Sequence, residues 1–456
     1  MKEKVTRAVE ADKAARSVPG VSAILPDGAI VELVYRPAEQ RTAFVVGHDG
    51  EWQLEPHVAL SKGRRFVPYS PHNNLLRNGV VLFAAEPEEY ETEAALVGAI
   101  RTFIHRYVDL SPLFEKLAAY YVLFSWLYDA FNEVPYLRVR GDYGSGKTRF
   151  LLAVGSLCYK PIFASGASTV SPLFRMLDTF RGTLVIDESD FRVSDERAEV
   201  VKILNNGNGR SFPVLRSEVN TKGEYNPRAY QVFGPKLIGT RGFFDDRALE
   251  SRCLTEEMGD RPLRDDIPIS LPDDFGREAL ALRNRLLLFR LRSRDRSAPD
   301  PALVDRAIEP RLSQIFVPLL SVIDDAVTRQ DLVELARRYQ RDLVADRGLD
   351  TEAQVLDVML ELLLTIEEPY LPVRDIAERF AERYGDDYQR KVTPRWIGGI
   401  LKRKLRLQTE RRHGSYVVPR EAFPKLKRLA ARYGIEANPT MLPDDSGATL
   451  GDVGRG

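Results

Sequence analysis

The chain is poor in cysteine and histidine, and it lacks any long apolar run. Cys158 and Cys253 are its only cysteines in 456 residues, too few for a disulfide framework, and each lies in a segment patterned as regular structure. A reducing, cytoplasmic setting fits that usage. The five histidines (His48, His57, His72, His105 and His413) share no ligand spacing with either cysteine, so no zinc site is expected. A Gly-x-Ser-x-Gly nucleophile elbow is also missing. The most apolar stretch, LAAYYVLFSWLYDAF, is short and broken by Ser125 and Asp129, and MKEKVTRAVEADKAARSV lacks the apolar core of an export signal. No membrane partner is expected. Net charge is absent too: 66 Lys and Arg balance 66 Asp and Glu, so any attraction to nucleic acid must come from local patches.

The length suffices for two or three domains, and the texture changes along it. Residues 1–20 are polar. Residues 21–92 alternate apolar stretches (AIVELVY, TAFVVG, VVLFAA) with Gly, Pro and Asn turns, as a small β-rich module does. Residues 93–131 carry two helical runs separated by DLSP, which supplies a cap and a helix-starting Pro, and read as a helical collar. From 132 to 258 β and α patterns alternate, which predicts a parallel sheet with flanking helices. Residues 259–347 are mostly helical. Residues 348–434 form another unit, and the tail 435–456 has so little to bury that it reads as disordered.

The segment GDYGSGKT, residues 141–148, lies between YLRVR, patterned as a strand, and KTRFLLAVGSLCY, patterned as a helix. Glycines at a strand-to-helix turn let backbone N–H groups converge on phosphate oxygens, and the helix N-terminus adds partial positive charge. Gly141, Asp142, Tyr143, Gly144, Ser145 and Gly146 would form the cradle, Lys147 would neutralise the β and γ phosphates, and Thr148 would ligate magnesium. Some forty residues on, TLVIDESD reads as a strand ending in Asp187 and Glu188. Asp187 would hold the metal and Glu188 would polarise an attacking water.

With these two motifs the chain resembles the AAA+ ATPases over roughly residues 95–345. That resemblance implies an α/β P-loop core, with residues 259–347 as a helical lid and ATP and Mg2+ as cofactors. KLIGTRG (236–242) looks like the sensor 1 strand, with Thr240 facing the γ-phosphate or the lytic water. DRALESRCL (246–254) is similar to the Ser-Arg-Cys motif of clamp loaders, which makes Arg252 the arginine finger acting on a neighbouring subunit, with Arg247 competing for that role. EPRLSQIFVPLL places Arg311 where a sensor 2 arginine stands.

RSFPVLRSEV and EYNPRAYQVF flank NTKG and predict a β-hairpin with Lys222 and Gly223 near its tip. An insertion at this point resembles the pre-sensor 1 hairpin of superfamily 3 and MCM helicases, whose tips line a pore; Lys222 would pair with phosphates whatever the sequence. In the last unit, VRDIAERFAERY and TPRWIGGILKRKLRL read as helices, the second capped by Thr393 and Pro394, and LQTERRHGSYVV as a hairpin. Helix, helix, wing is the winged-helix order. From Arg390 to Gly434 fourteen Lys and Arg face only Glu410 and Glu421. Arg395, Lys402, Arg403 and Lys404 fall on the recognition helix, and Arg411 and Arg412 in the wing.

The resemblance therefore implies an ATP-dependent DNA helicase or translocase, similar to those of phage, plasmid and mobile-element replication. Such a protein would be a homo-oligomeric ring, a hexamer, gripping single-stranded DNA in its pore and duplex at its winged helix, with priming and polymerisation left to separate chains. Two other readings stay open: an initiator or loader that binds duplex and switches on ATP, and a DNA-binding regulator whose ATPase is an assembly switch.

Overall fold

The computed structural model describes residues 16–48, 50–60, 63–165, 169–187, 194–210, 212–219, 225–244, 246–259, 263–348, 350–364, 368–385, 388, 391–412 and 414–435. Glu188, Lys222, Gly223, His413, residues 1–15 and the tail from 436 lie outside the described residues. The chain divides into two compact units, Met1–Glu334 and Leu335–Gly456.

In the first unit, β1 (Arg16–Gly20), β6 (Val58–Leu60) and β7 (Arg64–Pro68) form one sheet, and β2 (Ser22–Ile24), β3 (Ile30–Arg36), β4 (Arg41–His48) and β5 (Glu51–Glu55) form an antiparallel second one. β1 lies at the end of the stretch 1–20 read as a polar segment. It pairs in parallel with β7, Arg16 opposite Arg64, a partner some fifty residues away that no local pattern announces. This β region is seated on the core rather than standing apart. Glu32 of β3 is buried, and its carboxylate takes the Tyr159 hydroxyl at 2.6 Å, the Lys160 ammonium at 2.8 Å and Arg290 Nε at 2.8 Å. A carboxylate taken out of water is tolerable only with such partners.

Helices α1 (Asn74–Arg77), α2 (Glu93–Tyr107) and α3 (Pro112–Leu127) follow. Thr92 and Ser111 cap the two longer ones, their hydroxyls accepting from the N–H of Ala95 and Phe114. Next come β8 (Tyr136–Arg140), α4 (Lys147–Gly155), β9 (Ile162–Ala164), α5 (Val170–Phe180), β10 (Leu184–Asp187), α6 (Ser194–Asn206), the hairpin β11 (Val214–Val219) and β12 (Tyr225–Tyr230), β13 (Lys236–Thr240), α7 (Arg247–Glu250) and β14 (Cys253–Glu257). Five of these strands form one sheet in the order β14-β8-β13-β10-β9, every ladder parallel. β8 and β13 are almost wholly buried, as strands covered on both faces are. Helix α4 packs on β13 and β10, and α2 and α3 pack on α4.

The stretch expected as a lid does not stand away from this core. Helix α8 (Phe275–Ser293) packs on α2 and α3, with Phe275 against Phe103 and Tyr107, and α9 (Pro310–Leu320) packs on α3. Buried arginines fasten α8: Arg283 donates to the carbonyls of Phe83 and Ser156, and Arg290 to Asp129 and Glu32. Helix α10 spans Ala326–Gly348.

The second unit contains α11 (Thr351–Leu362), β15 (Tyr370–Pro372), α12 (Val373–Tyr384), α13 (Pro394–Arg403), β16 (Glu410–Arg412), β17 (Ser415–Pro419) and α14 (Phe423–Tyr433). Its three strands pair antiparallel in the order β15-β17-β16, around a core that includes Leu356, Ile376, Phe380, Ile397, Leu401, Val418 and Leu426. No described helix is long and apolar enough to cross a membrane.

Candidate active site

The 141–146 loop leaves the C-terminal end of β8 and turns into α4. Gly146 caps the helix with φ +94°, and Gly144 stands at φ +75°, both in the left-handed region that favours glycine. Gly141 is required for a different reason. A Cβ there would stand 2.3 Å from the Met258 carbonyl oxygen and 2.7 Å from Ser145 Oγ. The chain following β14 therefore closes over the loop, and Met258 N–H donates to the Arg140 carbonyl at 2.7 Å.

Lys147 is buried, its ammonium donating to the carbonyls of Gly141 and Asp142 at 2.7 Å each and to Ser145 Oγ at 3.4 Å. Burial holds its pKa below the ordinary lysine value, Asp187 opposes that shift, and the charge of Arg241 adds to it. The Thr148 hydroxyl donates to Asp187 Oδ2 at 3.2 Å, so the two residues read as metal ligands touch. Hydroxyl and carboxylate oxygens are the hard donors that magnesium takes.

β13 is inserted between β8 and β10. Gly239 sits opposite both Asp187 and Val139, which brings Thr240 to the rim between the loop and Asp187. Thr240 is buried, and its hydroxyl has no hydrogen-bond partner among the described residues. Buried hydroxyls are rarely left so, and an orphan at this end of β13 suits a group that receives a ligand. The residue after it, Arg241, was not singled out by the sequence pattern. Its guanidinium carbon lies 3.5 Å from the centre of the Tyr143 ring, and Tyr143 is 73% exposed.

Arg252 stands at the other end of the sheet. It precedes Cys253, which pairs with Tyr136 at the start of β8, whereas Arg140 at the loop pairs with Glu257. Its guanidinium donates to Asn205 Oδ1, and Asn205 donates in turn to Asp246 at 2.6 Å; the Arg252 Nε is buried without a partner among the described residues. Arg311 is not at the loop either. It donates to the Ala248 carbonyl of α7 at 2.7 Å, beside Arg252, because α9 packs on α3 and its N-terminus meets α7. Arg247 lies exposed on α7.

The β11–β12 hairpin pairs from Val214 opposite Tyr230 to Val219 opposite Tyr225, and Lys222 lies outside the described residues. One face rests on α5 and α6: Tyr230 packs edge-on against Phe174, and Arg216 pairs with Glu199. The opposite face exposes Leu215 and Tyr225. In the second unit Thr393 caps α13 through the Trp396 N–H, and Gly414 supplies φ +83° to the turn between β16 and β17. Arg395, Lys402 and Arg411 are exposed and have no ion pair among the described residues. Lys404 pairs with Glu352 at 3.2 Å, Arg412 pairs with Glu410, and Arg403 donates to the Gly399 carbonyl.

No family model and no curated protein matches the chain. Solved structures that align with it include the apo NrS-1 C-terminal region, 11% identical over 85% of this chain and 96% of that one, at a TM-score of 0.34. JCV helicase aligns at 15% identity over 54% of this chain and 60% of its own, with a TM-score of 0.24. Cdc6p from Pyrobaculum aerophilum aligns at 13% identity over 74% and 96%, with a TM-score of 0.22. At these scores the likeness carries no argument about activity.

Proposed function

We propose that the chain is an AAA+ ATPase that binds ATP with magnesium at residues 141–148 and spends hydrolysis on translocating along, or unwinding, DNA as a ring. The carrying observation is the meeting of four sequence-remote segments at one sheet rim: the glycine loop, the Thr148–Asp187 contact at 3.2 Å, the orphaned Thr240 hydroxyl and the Met258 carbonyl closing behind Gly141. Loop N–H groups and the α4 N-terminus receive the phosphates, and Lys147 exchanges its carbonyl partners for phosphate oxygens. Thr148 and Asp187 would hold magnesium, which when bound neutralises charge on the phosphate oxygens. Glu188, the residue after Asp187, takes the proton of the attacking water, and Thr240 orients that water or the terminal phosphate. Arg252 serves the site of the next subunit, and Lys222 at the hairpin tip grips single-stranded DNA.

The second unit is read as a winged helix, with α13 as the recognition helix. The exposed cations Arg395, Lys402 and Arg411 support duplex contact there and favour one second reading, an initiator or loader that holds duplex and switches on ATP. A strand-displacement assay on forked DNA decides between them. The helicase reading expects ATP-dependent displacement and single-strand stimulation of hydrolysis, with Glu188→Gln binding ATP but displacing nothing. ATP-dependent duplex binding without either effect would replace it by the initiator reading.

A further inference from the structure

Arg241 is exposed at the end of β13, one residue beyond the buried Thr240, and no ion pair engages it among the described residues. Nearby arginines are used differently: Arg138 is clamped by Glu250, and Arg140 by Glu257. Arg241 instead lies on the face of Tyr143, the third residue of the phosphate loop, with its guanidinium carbon 3.5 Å from the ring centre. A cation over an aromatic face is held weakly where water reaches it, so it leaves readily for an anion. Lys147 is near enough for the two positive charges to repel each other. Asp187, the carboxylate at the same rim, is already engaged by the Thr148 hydroxyl. Two cations gathered beside a helix N-terminus describe a place for a highly charged anion.

We propose that Arg241 binds the terminal phosphate of the nucleoside triphosphate held by its own chain, and so makes the site prefer a triphosphate over a diphosphate. The inference rests on the nucleotide reading of the 141–148 loop. β13 runs between β8 and β10, so its end faces the interval between the loop and Asp187, where the outermost phosphate would lie. The guanidinium fork suits two phosphate oxygens at once, and Tyr143 keeps it pre-positioned at the mouth. Thr240 and Arg241 would thus act side by side, one from the buried side of the rim and one from its exposed side.

The test is calorimetric titration with a slowly hydrolysed ATP analogue and with ADP, both with magnesium. Arg241→Ala should lose about 10- to 100-fold in affinity for the triphosphate and less than about 2-fold for ADP, the range expected for hydrogen bonds to a charged group. Arg241→Lys should recover part of the loss. Lys147→Ala should weaken both ligands. An unchanged ratio of triphosphate to diphosphate affinity in Arg241→Ala, with the wild type binding both, would overturn the role of Arg241 and leave the nucleotide site standing. Failure of the wild type to bind either ligand would overturn the site itself. At an ATP concentration too low to occupy the Arg241→Ala protein, rings mixed from Arg241→Ala and Lys147→Ala subunits should show no more hydrolysis than the two proteins show apart, because both defects fall within one chain's site. Recovery in the mixture would move Arg241 to the neighbour's nucleotide and refute its action within its own chain.

Discussion

Replacing Arg252 by alanine should separate nucleotide binding from hydrolysis. From Arg252 to Glu257, which pairs with the loop-bearing end of β8, the chain advances five residues, about 16 Å at the rise of a strand. The guanidinium is moreover turned towards Asn205 of α6. It therefore stands at the end of the sheet away from the loop of its own chain, as the proposed action on a neighbour's phosphate requires. Loss of such a group lowers the turnover rate by about 10³-fold or more while leaving ATP affinity nearly unchanged. Mixing makes the geometry measurable. A Lys147→Ala subunit keeps its arginine, and an Arg252→Ala subunit keeps its loop. In random equimolar rings about one interface in four joins an intact loop to an intact arginine, so head-to-tail contacts should restore about a quarter of wild-type hydrolysis. The assay is steady-state phosphate release from mixed rings whose mixing is verified by native mass spectrometry. Demonstrably mixed rings without recovery, together with a lowered melting temperature for Arg252→Ala alone, would reduce Arg252 to a structural partner of Asn205.

Three further outcomes are expected. Gly141→Ala should weaken ATP binding at least tenfold by titration while the sheet still folds: its Cβ would meet the Met258 carbonyl at 2.3 Å, and the loop must absorb about 1–3 kcal/mol of overpacking. Lys236 is fully buried, donating to the carbonyls of Val232 and Gly234, and burial pushes its pKa down to about 7 from the ordinary 10.5. Between those values the unfolded chain binds more protons than the folded one, so stability should rise with pH, by about 2 kcal/mol from pH 7 to 9 in denaturant unfolding; Lys236→Met should flatten that slope, and an equal slope in both proteins would refute the assignment. Lys222→Ala should abolish strand displacement while keeping basal hydrolysis; displacement at the wild-type rate would remove the grip of the hairpin.

What could be read along the chain was the chemistry that is local. The glycine loop between strand and helix, the Thr393 cap, the turn at Gly414 and the β11–β12 hairpin each depend on residues within a few positions of one another, and backbone sterics and capping act over that range. Alternating β and α patterns likewise implied a parallel sheet with flanking helices, which is the arrangement found. The order of its strands is another matter. No local signal places β13 between β8 and β10, yet that insertion sets Thr240 beside Asp187. The pairing of β1 with β7 and the burial of Glu32 among Tyr159, Lys160 and Arg290 also depend on partners tens to hundreds of residues away. Arg311 shows the limit from the other side: its position at a helix start was legible, but its contact with the Ala248 carbonyl beside Arg252 comes from the packing of α9 on α3. Local chemistry determines which residues can hold a phosphate; long-range packing, which buries apolar area and compensates buried charge over the whole chain, decides which of them stand at the same rim.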